Sequence, residues 1–240
     1  MVSCIMPTRN RRPFVGQAIA QFLAQDYPER ELIVVDDGDD AIADLLPLDS
    51  RIRLIRLERP ATVGAKRNIA CDAAAGDVIA HWDDDDWMAG RRLSCQAKAL
   101  EEHSADICGL TRLYFYDDQA HRAWLYTYPP GGLPWLHGGT MCYRKALWSA
   151  CPFQDVNEGE DTRWIRALRD TRPVALDDLT LYVARIHEGN RQRRPTWRSP
   201  FVPCAPEVVD RSMRGDGTRQ LAAMGEAPVQ TPLNVAMGRA

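Results

Sequence analysis

Over its first hundred or so residues the chain alternates short apolar runs with stretches of helical spacing, a pattern that few folds accept. VSCIM ends at Pro7, and residues 13–25 then carry Phe14, Ala18, Ile19, Phe22 and Leu23 at helical intervals. ELIVVDDG is an apolar run of the kind buried on both faces of a sheet, closed by acids and Gly38. RIRLIRL reads as a strand with one wetter face, followed by a helix over 64–75, the strand DVIAHW and a helix over 91–102. This order predicts parallel β-α-β units, an α/β fold with a mostly parallel, Rossmann-like sheet and flanking helices. Ligands of such sheets bind beyond the carboxyl ends of the strands. Pro7 to Asn10, Asp36–Asp37 and Asp83–Asp86 all stand at such ends, so the three groups are expected to converge on one edge.

The second half is less regular. ICGLTRLYFY reads as a strand, YTYPPGGLPWLHGGTMCY as loops around a short strand at 140–143, residues 160–169 as a helix and LTLYVARI as a late strand. After Asn190 the composition shifts to RQRRPTWRSPFVPCAP. Residues 1–190 are therefore expected to form the domain, and 191–240 a basic, proline-rich linker and tail with one short helix over 208–213. A net charge of −3 argues against a general nucleic-acid binder. No apolar run is long enough to span a bilayer and MVSCIMPTRN does not read as a signal peptide. The expected location is cytoplasmic, with peripheral contact at the inner face of the membrane as an alternative. The seven cysteines form no CxxC pair, which predicts buried free thiols rather than a zinc knuckle or disulfide framework.

HWDDDDW sets four like charges side by side, and their repulsion grows as water is removed. Splaying into solvent relieves it, and so does a bound cation. The preceding strand holds at least the first carboxylate near the sheet edge, which favours Mg²⁺ or Mn²⁺, ions that take one or two carboxylates and complete their shell with phosphate oxygens. The ligand spread of an EF-hand loop is absent. Asp36-Asp37-Gly38 either ends a strand or accepts hydrogen bonds from a nucleoside. In TVGAKRN, Lys66 and Arg67 read as surface charges or, since Gly64 permits close approach and a helix start favours anions, as neighbours of a nucleotide diphosphate. Neither a P-loop nor a GxGxxG fingerprint is present. Trp124, Tyr126, Tyr128 and Trp135 offer either a stacking platform for an acceptor sugar or one face of a core strand. Arg191, Arg193, Arg194 and Arg198 read as a solvated basic linker.

The order PTRN, VVDDG, VGAKRN, AAAGDVIAHWDDDDW, GED and HEGN resembles the family-two glycosyltransferases of the GT-A fold, over about residues 2–190. Asp83 to Asp86 and Trp87 match that family's acidic loop, D-x-D-D followed by an aromatic. Arg9 and the His81–Trp82 pair depart from its usual residues. The resemblance implies an inverting transfer from a nucleotide sugar, most simply a UDP-sugar, to an acceptor hydroxyl, with Mn²⁺ or Mg²⁺ as cofactor. It places Pro7, Thr8, Arg9, Asp37, Lys66, Arg67, Asp83 and Asp84 on the donor side, Asp83 facing the ribose. It gives Asp85 and His187 to the metal and makes Asp161 the general base. Trp124, Trp135 and Glu160 are candidates for the acceptor side, the acceptor being a glycan, a lipid-linked sugar or a small molecule. Without the resemblance, Glu160–Asp161 reads as an acidic pair favoured by a helix dipole, and His187 as a structural histidine. Two rivals remain: a nucleotidyltransferase that makes sugar nucleotides, whose Gly-rich loop PTRNRRP lacks, and a non-catalytic sugar-nucleotide binding module.

Overall fold

A computed structural model describes residues 1–128, 136–190, 200–214 and 230–232. The chain runs β1 (Val2–Thr8), α1 (Arg12–Leu23), β2 (Arg30–Asp36), β3 (Ile52–Arg56), α2 (Val63–Ala73), β4 (Val78–His81), β5 (Trp87–Met88), α3 (Arg92–Glu102) and β6 (Ile107–Leu110). It continues through β7 (Arg112–Asp117), β8 (Arg122–Thr127), β9 (Cys142–Arg144), α4 (Lys145–Ala150), α5 (Glu160–Ala167), β10 (Pro173–Leu176), β11 (Tyr182–Arg185), β12 (Phe201–Cys204), α6 (Pro206–Met213) and β13 (Gln230–Pro232). A larger sheet has the order β13-β10-β6-β9-β4-β1-β2-β3, and a smaller one the order β12-β8-β7-β11-β5.

The larger sheet is mostly parallel, as the alternation predicts. β1 pairs in parallel with both β2 and β4, and β2 with β3, while β9 and β13 run antiparallel to their neighbours. Both faces of its centre are covered because side chains alternate along a strand. Cys4, Met6, Leu32 and Val34 join Val15, Ile19 and Phe22 of α1 in one core. Ile5, Ile33 and Val35 join Ala70 and Cys71 of α2 and Trp164 and Ile165 of α5 in the other. The edge strand β3 is only half-buried, which accounts for its wetter alternation.

Two stretches differ from the sequence reading. ICGLTRLYFY is two strands: the chain leaves β6 in the large sheet and re-enters the small one as β7. An unbroken apolar and aromatic run hides that switch because both halves are buried. The segment after Asn190 also does more than link. β12 pairs antiparallel with β8, and Val208, Val209 and Met213 of α6 pack against Tyr114 and Tyr116 of β7. The short helix expected at 208–213 is present and begins two residues earlier, with Pro206 at its first position. The arginines at 191, 193, 194 and 198 lie outside the described residues. Among the described residues no helix is long and apolar enough to cross a membrane, and all seven cysteines are free.

Candidate active site

In the sheet register Thr8 lies beside Asp36, and Ile5 beside His81, so β1, β2 and β4 end along one edge. A cleft of about 270 Å³ opens there, lined by Pro7 and Thr8 at the end of β1, Arg9 and Arg11 after it, Lys66 and Arg67 of α2, and Asp83 to Asp86 after β4. Glu160 and Asp161 at the start of α5 face it from the other side. The expected convergence is present.

The acidic run is divided among four sets of partners. Asp83 lies 3.6 Å from Nη2 of Arg67, and its Oδ2 is 3.3 Å from the Tyr182 hydroxyl. Asp84 accepts from Thr8 Oγ1 at 2.6 Å. Oδ2 of Asp85 accepts from Arg11 Nη1 at 2.7 Å and from His187 Nε2 at 3.0 Å. Asp86 accepts from the Tyr182 hydroxyl and, at 2.7 Å, from the Arg185 amide. Burial raises the pKa of each carboxyl first, and the partners then separate them. Asp85 ends below the usual carboxylate range because hydrogen bonding to His187 and the Arg11 charge outweigh burial. Burial and the Asp85 charge push Asp84 up to about 7 and drive Asp86 well above its ordinary range. One strongly anionic group, Asp85, therefore stands among neighbours that more readily hold protons.

Opposite it, Gly159 turns the chain at φ +69°, a left-handed conformation natural to glycine, and α5 starts at Glu160. The adjacent acids then diverge. Glu160 is buried and accepts from Arg67 Nε at 3.2 Å. It lines the cleft beside Asp161, with Arg67 against it. Asp161 faces the cleft, its Oδ1 accepting from the Thr162 amide at 2.6 Å and its Oδ2 packed on Gly138. Arg67 sits between the groups, and its buried Nη1 has no hydrogen-bond partner among the described residues.

Lys66 lines the cleft and Asp37 stands behind it. Lys66 Nζ donates to Asp37 Oδ1 at 2.8 Å and to the Thr8 carbonyl at 2.9 Å, while Asp37 Oδ2 accepts from the Ala61 amide at 2.7 Å. Burial raises the Asp37 pKa, but these bonds hold it below the usual range. Asp37 thus presents Lys66 and the end of β1, and does not itself line the cleft. Nor does the start of α2 cradle an anion. The Ala65 amide is taken by the Thr62 side chain and the Gly64 amide by the Val156 carbonyl, and the close approach at Gly64 is made by the Gln154 carbonyl.

Of the aromatic set, Trp124 is buried on β8 under the Arg122 guanidinium and is not part of the cleft, whereas Tyr128 is. Trp135 lies outside the described residues. The cleft's aromatic wall is instead Phe115, Tyr128 and His137.

Three residues escaped the sequence reading. Arg11 holds Asp85. Arg92, buried on α3, donates to the His81 and Gly139 carbonyls, both at 2.9 Å, and so ties the end of β4 to the HGG turn. Gly138 lets Asp161 approach, and His81 fixes that glycine by donating from Nδ1 to its carbonyl at 2.7 Å. The only available signal was the Gly-Gly pair before a short strand.

A divalent ion suits part of this site. Among the described residues no group of three or more His, Cys, Asp or Glu side chains is arranged to hold one. Asp85, however, is a hard oxygen donor that already carries a cationic partner, and Mg²⁺ or Mn²⁺ needs only one or two protein carboxylates when phosphate and water complete the shell. His187 fits less directly. Its Nδ1 accepts from the Gly189 amide at 3.1 Å, which leaves the ring proton on Nε2, directed at Asp85. In this arrangement His187 orients the carboxylate and has no lone pair there to offer a metal.

The sequence model of glycosyl transferase family 2 matches residues 3–166. An uncharacterized glycosyltransferase of Haemophilus influenzae is 34% identical over 109 residues, covering 43% of this chain and 44% of that protein. The chain spans less than half the length of this and two further curated relatives, at 44%, 43% and 37%. Among solved structures, S. aureus TarS 1-349 in complex with UDP-GlcNAc superposes with a TM-score of 0.63 at 22% identity, covering 79% of this chain and 59% of that one. The mannosyltransferase PcManGT from Pyrobaculum calidifontis, in complex with GDP-Man and Mn²⁺, gives 0.62 at 15% identity, covering 94% and 75%. At these identities the likeness is one of fold, and that fold is the GT-A type.

Proposed function

The chain belongs to glycosyl transferase family 2, and from that premise we propose that it moves a sugar from a nucleoside-diphosphate donor, a UDP-sugar, to an acceptor hydroxyl with inversion. One observation carries the reading: an anionic Asp85 and a cleft-facing Asp161 line the same cleft, with Arg67 also in it. The donor's phosphates meet the side of Arg9, Arg11 and Arg67. Among the described residues nothing accepts from one buried N–H of Arg67, a group that is costly until a ligand does. Asp83 and Asp84, with Pro7 and Thr8 behind them, border the nucleoside. Asp85 is the residue that would hold a divalent ion, which would neutralise charge on the diphosphate.

Asp161 does the proton work. The acceptor oxygen forms a bond to the anomeric carbon while its proton passes to the Asp161 carboxylate. The bond from that carbon to the diphosphate breaks, and its electron pair leaves with the phosphate oxygen. One displacement inverts the anomeric centre. General-base assistance of this kind contributes about 10²–10⁴-fold. A cytoplasmic site of action, and peripheral rather than spanning contact with any membrane-bound acceptor, belong to the same reading.

The test is a panel of nucleotide sugars assayed with Mn²⁺ and Mg²⁺, the product's anomeric configuration being read by NMR. Asp161→Asn should lower kcat by about 10²-fold or more while donor Kd stays near the parent value. Release of pyrophosphate from a nucleoside triphosphate and sugar phosphate would instead indicate nucleotidyl transfer. Tight donor binding with no turnover on any acceptor would indicate a binding module.

A further inference from the structure

The cation on Asp85 is part of the protein. Arg11 follows Asn10, which stands in the left-handed region at φ +53° and accepts from the Asp39 amide at 2.7 Å. That turn, between β1 and α1, fixes where Arg11 leaves the backbone. Its guanidinium rests 5.6 Å from the Phe14 ring centroid, and Phe14 also stacks on His187 at 4.4 Å. Nη1 thus reaches Asp85 Oδ2 at 2.7 Å and lies 3.5 Å from His187 Nε2. Asn190 adds a weaker contact to the same oxygen at 3.4 Å.

We infer that Arg11 and a divalent ion are alternative partners of Asp85, so that metal binding displaces the guanidinium and frees it for the donor's diphosphate. The inference rests on Asp85 being the metal ligand in the function proposed above. An ion bound at about 2.0–2.1 Å from Oδ2 would lie within a few ångströms of Nη1, where like charges in a partly buried site repel steeply. Arg11, His187 and Asn190 all engage Oδ2 of Asp85, so an ion at that oxygen competes with the guanidinium for it, and the displaced side chain lines the same cleft as Arg9 and Arg67. Arg11 then has two duties. It holds Asp85 in place before the donor arrives, and it binds phosphate afterwards, a task its forked geometry suits.

The experiment is a Mn²⁺ titration of the full chain without nucleotide, followed by the loss of the free-ion EPR signal, for the parent, Arg11→Gln, Arg11→Lys and Asp85→Asn. Removing a competing charge-assisted hydrogen bond should tighten Mn²⁺ binding about tenfold in Arg11→Gln. Arg11→Lys, which keeps the cation, should stay near the parent, and Asp85→Asn should lose the site. With saturating Mn²⁺, Arg11→Gln should bind UDP about tenfold more weakly by calorimetry, because the freed guanidinium is missing. Unchanged or weaker Mn²⁺ binding in Arg11→Gln overturns the inference, as does unchanged UDP affinity. If neither parent nor variant binds Mn²⁺, the competition falls while metal-free glycosyl transfer stands. A tightened Mn²⁺ site in a protein that transfers no sugar supports the competition and counts only against the function.

Discussion

Gly138 lies directly against the carboxylate of Asp161: a Cβ built on the glycine would meet Oδ2 at 1.8 Å and Cγ at 2.8 Å. Neither group is free to yield. The Gly138 carbonyl is held by His81, and Asp161 Oδ1 by the Thr162 amide. Gly138→Ala must therefore shift the carboxylate that the proposed mechanism uses as base. A displacement of about 1 Å in a catalytic group costs up to about 10²-fold in rate. The expected outcome is a kcat lowered by about 10–10²-fold with UDP affinity close to the parent, measured by single-turnover assay and calorimetry. Full activity in this variant would show that the position of Asp161 is not critical.

Asp37 calls for a different outcome from the one a nucleoside contact implies. Both its oxygens are engaged within the chain, and its partner Lys66 is almost wholly buried, at 2% side-chain exposure. Asp37→Ala leaves that ammonium without its counter-charge, a loss of about 3–5 kcal/mol for a buried pair. Thermal unfolding should show a large fall in Tm, and uridine ligands and bare pyrophosphate should weaken together. A variant with the parent's Tm that loses only uridine binding would restore the direct contact implied by the family resemblance.

These two residues mark how far the sequence could be read. The strand ends that carry PTR, VVDD and HWDDDD were legible, because a buried parallel strand has a pattern of its own and its carboxyl end has a fixed meaning. The start of α5 was legible through Gly159. What stayed hidden depends on which partner each acid finds. Four consecutive aspartates look alike in sequence, yet Thr8, Arg11, Arg67 and Tyr182 come to them from separate parts of the chain. Arg92 gave no signal either, since an arginine that caps carbonyls inside a core has the same local spacing as one on a helix surface.

Asp84 supplies a pH test. Its carboxyl has an ordinary value of 3.8 and is raised to about 7 in the fold, first by burial and then by the Asp85 charge. Because the folded value lies above the unfolded one, its stabilising contribution is complete below the unfolded pKa of 3.8 and is lost as pH rises through about 7. In metal-free buffer the free energy of unfolding should therefore fall between about pH 4 and pH 7, by up to about 4 kcal/mol from this group. Urea melts across that range should show the slope in the parent and a flatter profile in Asp84→Asn, which is the more stable of the two at the alkaline end. A parent profile that rises over this interval would contradict the burial of a neutral Asp84.

In the proposed mechanism the adjacent acids of α5 separate binding from chemistry. Both line the cleft, but Glu160 is buried and paired with Arg67 Nε, whereas Asp161 packs on Gly138. Burial raises the Glu160 pKa and the Arg67 charge opposes this, so the pair orders the guanidinium. Glu160→Gln keeps the shape and an acceptor oxygen but removes the counter-charge, which leaves Arg67 less firmly held between Glu160 and Asp83. A hydrogen bond to a charged group is worth about 1.5–3 kcal/mol, and a neutral acceptor retains part of it. Donor affinity should accordingly fall by about three- to tenfold in Glu160→Gln, with kcat within about threefold of the parent. Asp161→Asn should show the reverse, a kcat lowered by about 10²-fold or more at near-parent donor affinity. Steady-state kinetics with calorimetric Kd values on both variants decides the matter. If Glu160→Gln loses kcat as severely as Asp161→Asn, the proton is not assigned to Asp161 alone and Glu160 must reach the acceptor.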